Sequence, residues 1–221
     1  MSKTLVITGA NRGIGFAMAK LAHSQGHKVY ALCRHSSAQL NALGVHVIEN
    51  IDVATKDGIN NATAALNNVS IDLLINNAGI LRNESLQDLN TDTIKEQFEV
   101  NALAPLCLTH ALLNNLSSGS KVALITSRMG SVADNTSGSR YGYRMSKAAL
   151  NIAGMSLAQD LKSQGICVGI YHPGYVQTDM VNHGGDISSD EAATRLLGLM
   201  DKLTLAETGV FKHSNGETLP W

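Results

Sequence analysis

A tyrosine and a lysine at a spacing suited to proton transfer lie in the segment YGYRMSK, residues 141–147. Tyr143 and Lys147 are four residues apart, so on a helix they share one face. A free phenol titrates at about pH 10, and a neighbouring ammonium lowers that pKa because it stabilises the phenolate. The spacing therefore predicts that Tyr143 is a general acid/base assisted by Lys147. Tyr141 lacks this geometry, because the residue four positions after it is Met145.

The Tyr-x-x-x-Lys spacing gains weight from a serine upstream of it. Alone it is weak evidence: with five tyrosines it would occur by chance in roughly one chain in four, and a solvated tyrosine beside a surface lysine would explain it. The apolar run ALITS ends at Ser127, where a strand end would fix a hydroxyl that holds a carbonyl oxygen beside Tyr143. Ser131, twelve residues before Tyr143, is the alternative. We prefer Ser127 because Ser131 is expected to lie in a loop.

A glycine-rich segment follows the first apolar run, residues 4–8, and precedes an apolar helical pattern. Gly9, Gly13 and Gly15 form a GxxxGxG spacing. A glycine trio alone could be a simple tight turn, but between a strand and a helix it predicts a loop that binds the pyrophosphate of a dinucleotide. The other predicted cofactor-binding residues of this loop are Asn11, Arg12 and Ile14.

The residues after the second and third apolar runs bear on which dinucleotide binds. Arg34 follows the second run with no acidic residue nearby in the sequence, and Arg12 is a second cation in the glycine loop. Guanidinium groups suit phosphate oxygens, so the pair favours NADP over NAD, although each arginine alone could be a solvated surface charge. Asp52 and Val53 are predicted to border the adenine, and an ordinary position at the start of a helix is the alternative for Asp52.

Strand-like and helical segments alternate along the chain and would position these residues. The apolar runs are continuous, as expected for strands covered on both faces; they are 4–8, 28–33, 45–50, 72–77, 121–127 and 166–172, with a short last strand after residue 208. Helical periodicity covers 13–25, 55–68, 91–116 and 143–164. The alternation predicts one α/β domain spanning 1–221, a Rossmann-type doubly wound parallel sheet of about seven strands with helices on both faces.

The order of the motifs resembles the short-chain dehydrogenase/reductase family, most closely its C-factor-like and sniffer-like carbonyl reductases. The motifs that carry the resemblance are the glycine loop, NNAG at 76–79, Asn101, Ser127, Tyr143-x-x-x-Lys147 and HPGYVQT at 172–178. The resemblance implies that Tyr143 donates a proton to a carbonyl, that Lys147 also binds the nicotinamide ribose, that Ser127 orients the substrate and that Asn101 holds a water in a proton relay.

The same resemblance implies further cofactor contacts. Those beside the fourth strand are Asn77, Ala78 and Gly79, and those that flank the nicotinamide are Pro173, Gly174, Val176 and Thr178. The chain departs from the family pattern in a longer loop between the serine and the tyrosine, and in a short polar segment after residue 178 where many relatives carry a longer lid. The candidate walls of the substrate pocket are Leu81, Arg82, Arg128, Met129, Tyr175 and Met180.

Composition excludes several other classes of function. A net charge of -1 over 221 residues provides no field for nucleic acid or an anionic membrane. Eight histidines without ligand spacing and three cysteines far apart argue against a metal site and for reduced thiols. No export signal is recognised at the start of the chain, so we expect a cytoplasmic protein. Segments 91–116 and 141–164 could pair between copies in a homodimer or homotetramer, with a monomer as the alternative.

The sequence therefore predicts an enzyme that reversibly reduces an aldehyde or ketone to an alcohol with NADP(H). Its partner would be a small carbonyl or alcohol substrate. The alternative is a dinucleotide-binding signalling protein without catalysis, because a fold does not fix a function. The set of Ser127, Tyr143, Lys147 and Asn101 favours the enzyme, since a protein that only binds a dinucleotide does not need an aligned proton donor.

Overall fold

The computed structural model describes residues 2–221 and contains one seven-stranded sheet. The strands are β1 (Thr4–Thr8), β2 (Lys28–Leu32), β3 (His46–Ile48), β4 (Leu73–Asn76), β5 (Lys121–Ile125), β6 (Cys167–His172) and β7 (Val210–His213). The α-helices are α1 (Gly13–Ser24), α2 (Ala38–Asn41), α3 (Lys56–Ala65), α4 (Thr91–Phe98), α5 (Ala104–Ala111), α6 (Tyr141–Lys162) and α7 (Ser189–Lys202).

The sheet has the strand order β3-β2-β1-β4-β5-β6-β7, and all neighbouring strands are parallel. The prediction of a doubly wound parallel α/β fold is thus confirmed. The order reverses between β1 and β4, and ligands of such sheets bind at the carboxyl ends of the strands beside this reversal. The glycine loop follows β1 and the NNAG motif follows β4, so both lie at this point.

Two apolar layers, one on each face of the sheet, hold these strand ends in place. Leu74 and Ile170 belong to a buried cluster on one face, whereas Ile7 and Ile75 belong to a cluster on the other. Because both faces are covered, the central strands read as continuous apolar runs rather than alternating ones. None of the helices in residues 2–221 combines the length and apolarity that a membrane crossing requires.

The helical segment predicted over 91–116 is interrupted in the structure. It comprises α4, a π-helical turn at Glu99–Leu103, α5 and a 3₁₀ turn at Leu113–Asn115. Hydrophobic periodicity does not reveal such a turn, because one inserted residue shifts the pattern only slightly. Single π turns inside helices are frequent at functional sites.

The structure also contains helices that the periodicity analysis did not identify, of which α7 is the longest. Its buried residues Ala192, Leu196 and Met200 are spaced four apart, and the Ser188 hydroxyl accepts a hydrogen bond from the backbone N–H of Glu191. A serine three residues before a glutamate is a sequence signature of a helix start, so the signal was present. The catalytic-helix candidate α6 begins at Tyr141, two residues before the predicted start.

Candidate active site

Helix α6 brings Tyr143 and Lys147 together in a buried position at the carboxyl edge of the sheet. Tyr143 is 9% exposed and Lys147 is 4% exposed. The Lys147 Nζ atom lies 5.7 Å from the centre of the Tyr143 ring and donates a hydrogen bond of 2.9 Å to the backbone oxygen of Ile125. The last residue of β5 therefore fixes the ammonium beside the phenol.

Ser127 lies two residues beyond β5, and its hydroxyl acts to lower the pKa of the Tyr143 phenol. It accepts a hydrogen bond of 3.1 Å from the backbone N–H of Met129, which fixes its position at the start of a 3₁₀ turn. The alternative, Ser131, donates instead to the backbone oxygen of Trp221 at 3.1 Å and accepts from the N–H of Asp134 at 3.1 Å. Ser131 therefore anchors the C-terminal segment, whereas Ser127 faces the tyrosine.

Burial controls the protonation of both members of the pair. It lowers the pKa of Lys147 to about 8, and it raises the pKa of Tyr143, although the Ser127 hydrogen bond and the Arg140 charge act in the opposite direction. The sequence argument that the lysine depresses the pKa of the phenol is therefore wrong for the free protein. The free-energy cost of removing the phenolate from water is larger than the stabilisation that Ser127 and Arg140 give it.

Asn101 lies in the π turn and is fully buried. Its Oδ1 accepts from the backbone N–H of Ile80 at 2.8 Å, and its Nδ2 donates to the Ile80 oxygen at 2.8 Å and to the Ser146 hydroxyl at 3.0 Å. A Cβ atom on Gly79 would come within 3.2 Å of this Oδ1 and 3.6 Å of the Lys147 Nζ atom. Asn101 thus links the NNAG segment to α6, and the glycine leaves room beside the lysine.

The carboxyl ends of β1 and β4 are joined by hydrogen bonds that shape the glycine loop. The Thr8 hydroxyl accepts from the backbone N–H groups of Asn77 at 2.9 Å and Ala78 at 3.0 Å, and the Asn77 side chain donates to the Thr8 oxygen at 2.9 Å. Gly9 has φ +64°, and a Cβ atom on Gly15 would overlap its backbone oxygen. Thr8 is a positioning residue that the sequence argument did not identify.

The N-terminus of α1 fits a pyrophosphate. Within residues 2–221, no side chain caps this helix, and its first turn contains no acidic residue. By contrast, α3, α4 and α7 are capped by Thr55, Asn90 and Ser188. Uncapped N–H groups and the helix dipole favour an anion. The residues that begin α1 are Gly13, Ile14 and Gly15.

The two arginines predicted near the adenosine end have different surroundings. Arg34 is exposed and belongs to no ion pair within residues 2–221. Arg12 instead forms an ion pair of 3.1 Å with Asp179, so a carboxylate already neutralises its charge. Asn11 holds the loop against the turn after β2, because its side chain donates to the His35 oxygen at 3.0 Å and its backbone oxygen accepts from the Ser37 hydroxyl at 2.9 Å.

An acidic residue does reach the turn after β2. The Glu49 carboxylate follows β3 and accepts from the backbone N–H of Ser36 at 2.6 Å, which corrects the sequence argument that no carboxylate is nearby. Asp52 supports the start of α3: its carboxylate accepts from the Ala54 N–H at 3.1 Å and its backbone oxygen accepts from the Thr55 hydroxyl at 3.0 Å. Val53 packs against the apolar core.

The segment between Pro173 and Thr178 lies against the glycine loop. Gly174 adopts φ +95°, and the Thr178 methyl group lies 3.4 Å from where a Cβ atom of Gly13 would be. Val176 is buried. The structure therefore brings the segment that follows β6 to the N-terminal end of α1.

A buried carboxylate at the start of α6 was missed at the sequence level. Glu84 is 2% exposed and accepts hydrogen bonds from the backbone N–H of Gly142 at 3.2 Å, from Thr93 Oγ1 at 2.7 Å and from Gln97 Nε2 at 2.6 Å. Helix α6 has no side-chain cap of its own, so Glu84 supplies one from a distant part of the chain. No local pattern indicates this contact.

A polar cleft of about 240 Å³ lies beside the 3₁₀ turn that follows Ser127. Its walls are Arg128, Met129, Asp134, Thr136, Ser137 and Arg144. Two of the predicted pocket residues, Arg128 and Met129, are among them; Leu81, Arg82, Tyr175 and Met180 are not.

Within residues 2–221, no cluster of three His, Cys, Asp or Glu side chains is arranged to hold a metal ion. Burial and the nearby His213 lower the pKa of His172 to about 3, so its imidazole is neutral.

Comparisons with curated proteins give matches over two thirds or more of the chain. Residues 3–186 match the family model of short chain dehydrogenases. The 1-hydroxy-2-glutathionyl-2-methyl-3-butene dehydrogenase of Rhodococcus sp. is 36% identical over 224 residues, which cover 99% of each chain. The C-signal of Myxococcus xanthus is 41% identical over 154 residues, which cover 68% of this chain and 93% of that protein.

Solved structures of carbonyl reductases share the fold over its full length. The NADPH-bound carbonyl reductase from chicken fatty liver superposes with a TM-score of 0.91 at 27% identity, covering 100% of this chain and 99% of that one. The carbonyl reductase Sniffer of D. melanogaster gives a TM-score of 0.92 at 26% identity and covers 100% of both chains.

Proposed function

The chain belongs to the short-chain dehydrogenase family and is an oxidoreductase, and on this basis we propose that it reversibly reduces the carbonyl group of a small molecule with NADPH. The observation that carries the proposal is the buried arrangement of Tyr143, Ser127 and Lys147. A protein that only bound a dinucleotide would have no need to bury an ammonium beside a phenol, since the burial itself is unfavourable.

In this proposal the Ser127 and Tyr143 hydroxyls both donate hydrogen bonds to the substrate carbonyl oxygen. NADPH supplies the hydride. The raised pKa of Tyr143 keeps the phenol protonated at neutral pH, which is the form that donates a proton to the developing alkoxide. Lys147 holds positive charge beside the phenol, and Asn101 fixes the turn against which both are packed. Positioning and charge are thus the contribution of the chain.

For the cofactor, the uncapped start of α1 would hold the pyrophosphate and Arg34 would hold the 2′-phosphate. Support for NADP(H) over NAD(H) comes from the unpaired Arg34 and from the NADPH-bound relative. Arg12 contributes less in this proposal, because Asp179 already neutralises it. The residues proposed to line the dinucleotide are Gly9, Gly13, Ile14, Gly15, Val53, Asn77, Ala78, Gly79, Pro173, Gly174, Val176 and Thr178. Asn11 and Asp52 act through the backbone turns that they hold.

The substrate is proposed to be a small carbonyl compound, and the chain from 1 to 221 to act as a single domain. The Rhodococcus relative is named as a dehydrogenase of a glutathionyl alcohol, which supports a small polar organic molecule as the reactant. The printed name of the Myxococcus relative, C-signal, keeps the signalling alternative as an outcome of the test below.

The experiment is a comparison of Tyr143→Phe with Tyr141→Phe. NADPH oxidation is measured across a panel of aldehydes, ketones and quinones, and NADPH binding is measured by thermal shift. We expect Tyr143→Phe to lower turnover by at least a hundredfold while NADPH binding is retained, and Tyr141→Phe to remain active. Unchanged turnover in Tyr143→Phe would refute the assignment. A wild-type protein that binds NADPH and reduces no carbonyl compound would support the signalling alternative.

A further inference from the structure

The loop before α6 is strained. Gly138, Ser139 and Arg140 adopt φ values of +61°, +54° and +53° in succession. For residues with a side chain this left-handed conformation costs roughly 1–2 kcal/mol each. Such strain persists where the surroundings enforce it, and it concentrates at functional sites.

Hydrogen bonds on both sides hold this conformation. The backbone N–H of Arg140 donates to the backbone oxygen of Glu84 at 2.7 Å. The Arg144 Nε atom donates to the backbone oxygens of Gly138 and Ser139, both at 3.1 Å. The loop is therefore tied to the helix that carries the catalytic pair, and the Arg140 side chain has a defined place.

That place is the rim of the candidate active site. The Arg140 Nε atom donates to Asn83 Oδ1 at 3.1 Å, and its Nη1 atom lies 4.0 Å from the Met129 sulfur. The guanidinium thus lies between the segment after β4 and the turn after Ser127. Its charge reaches the phenol, where it acts to lower the pKa of Tyr143.

Arg140 has no carboxylate partner within residues 2–221. The other two cations of this rim are already engaged: Arg128 pairs with Asp134 at 2.5 Å, and Arg144 binds uncharged groups of the strained loop. Glu84 is the second carboxylate nearby, but it is buried under the start of α6 and accepts from uncharged donors. Arg140 and Arg144 therefore both lack a carboxylate partner. Arg144 donates hydrogen bonds to three oxygens of residues 137–139, whereas within residues 2–221 the Nη groups of Arg140 contact only the Met129 sulfur.

We propose that Arg140 is a specificity-determining residue that binds a carboxylate carried by the carbonyl substrate, so that the enzyme prefers oxo acids to neutral carbonyl compounds. This rests on the proposed function. A guanidinium offers two parallel N–H donors that match a carboxylate. With Nε bonded to Asn83, the N–H groups of Nη1 and Nη2 remain to donate end-on to such a carboxylate.

The test compares a matched pair of aldehydes, 4-carboxybenzaldehyde and methyl 4-formylbenzoate, whose para substituents are a carboxylate and its uncharged methyl ester. We expect wild-type kcat/KM for the acid to exceed that for the ester by about tenfold, the effect of one charge-assisted hydrogen bond. Arg140→Gln should remove this preference through a higher KM for the acid, and Arg140→Lys should retain part of it. Arg195→Gln, which removes an arginine paired with Glu191 on α7, should leave kcat/KM unchanged for both aldehydes.

Two results would overturn the inference about Arg140. Equal losses for both aldehydes in Arg140→Gln would show a structural role and overturn the inference, as would a wild-type protein without preference. Raising the salt concentration should lower the wild-type preference for the acid, because salt screens an exposed charge, and this check requires no variant. If wild-type protein oxidises NADPH with the panel of neutral carbonyls but not with the acid, the inference alone fails. If it reduces no carbonyl compound at all, the proposed function fails with it.

Discussion

Replacing Lys147 with methionine should stabilise the protein at neutral pH and abolish turnover. The ammonium is 4% exposed, and burial lowers its pKa from the ordinary 10.5 to about 8. Each pKa unit corresponds to about 1.4 kcal/mol, so the charge costs about 3 kcal/mol of folding free energy at pH 7. Methionine fills a similar volume without charge but loses the hydrogen bond to Ile125, worth about 1 kcal/mol. The net gain is about 2 kcal/mol, or roughly 4–8 °C in melting temperature.

The pH dependence of this gain is its sharper signature. The folded-state pKa of Lys147 lies below the unfolded value, so between pH 8 and 10.5 the unfolded wild-type chain binds more protons than the folded one. Wild-type stability therefore rises with pH across that window, relative to the variant, and is level below it. The advantage of Lys147→Met should be constant up to about pH 8 and then fall, becoming a deficit of about 1 kcal/mol by pH 10.5 because only the lost hydrogen bond remains.

Urea unfolding of both proteins at pH 7, 8, 9 and 10 measures the difference directly, and other titrating groups cancel in the comparison. Lys162→Met is the matched control, because Lys162 is an exposed lysine at the end of the same helix. It should show no such pH-dependent difference. The reasoning would be refuted if Lys147→Met were less stable than wild type at pH 7 by the same amount as at pH 10.

The remaining predictions concern the cofactor and the start of α6. Arg34→Ala should weaken NADPH binding about tenfold or more and leave NADH binding unchanged, whereas Arg12→Ala should have a smaller effect because Asp179 already pairs with it; equal losses for both cofactors in Arg34→Ala would argue against a 2′-phosphate contact. Glu84→Gln should lower the free energy of unfolding by about 1–3 kcal/mol, because its amide NH₂ would face a donor, either the Gly142 N–H or one of the Thr93 and Gln97 side chains. It should also reduce kcat while the dissociation constant of NADPH is unchanged. Urea unfolding measures the first effect and titration calorimetry the NADPH affinity.

Most of the fold was readable because its signals are local. Continuous apolar runs identified the parallel sheet, and the glycine spacing after β1 identified the loop at the strand reversal. Helix α7 was missed, although its start at Ser188 and Glu191 was readable. The π turn was not, because the residues at 99–103 keep a helical composition and differ only in their hydrogen bonding.

The electrostatics of the site depended on contacts between distant parts of the chain. Asp179 lies 167 residues after Arg12, and Glu84 lies 58 residues before Gly142, so no spacing rule connects either pair. Glu49 reaches the turn after β2 only because β3 lies beside β2 in the sheet. The direction of the Tyr143 pKa likewise followed from its burial, whereas the spacing to Lys147 specified only its neighbour.

The protonation states of the pair bear on the direction of the proposed reaction. A phenol whose pKa is raised by burial is protonated at neutral pH, and an amine with a pKa of about 8 still carries its charge there. Reduction needs a protonated phenol as its proton donor, whereas oxidation of the alcohol needs the phenolate as a base. Burial raises the pKa of the Tyr143 phenol above its ordinary value, so the phenolate would form only in alkaline solution. At neutral pH the free protein therefore holds Tyr143 in the protonated form that the proposed reduction requires.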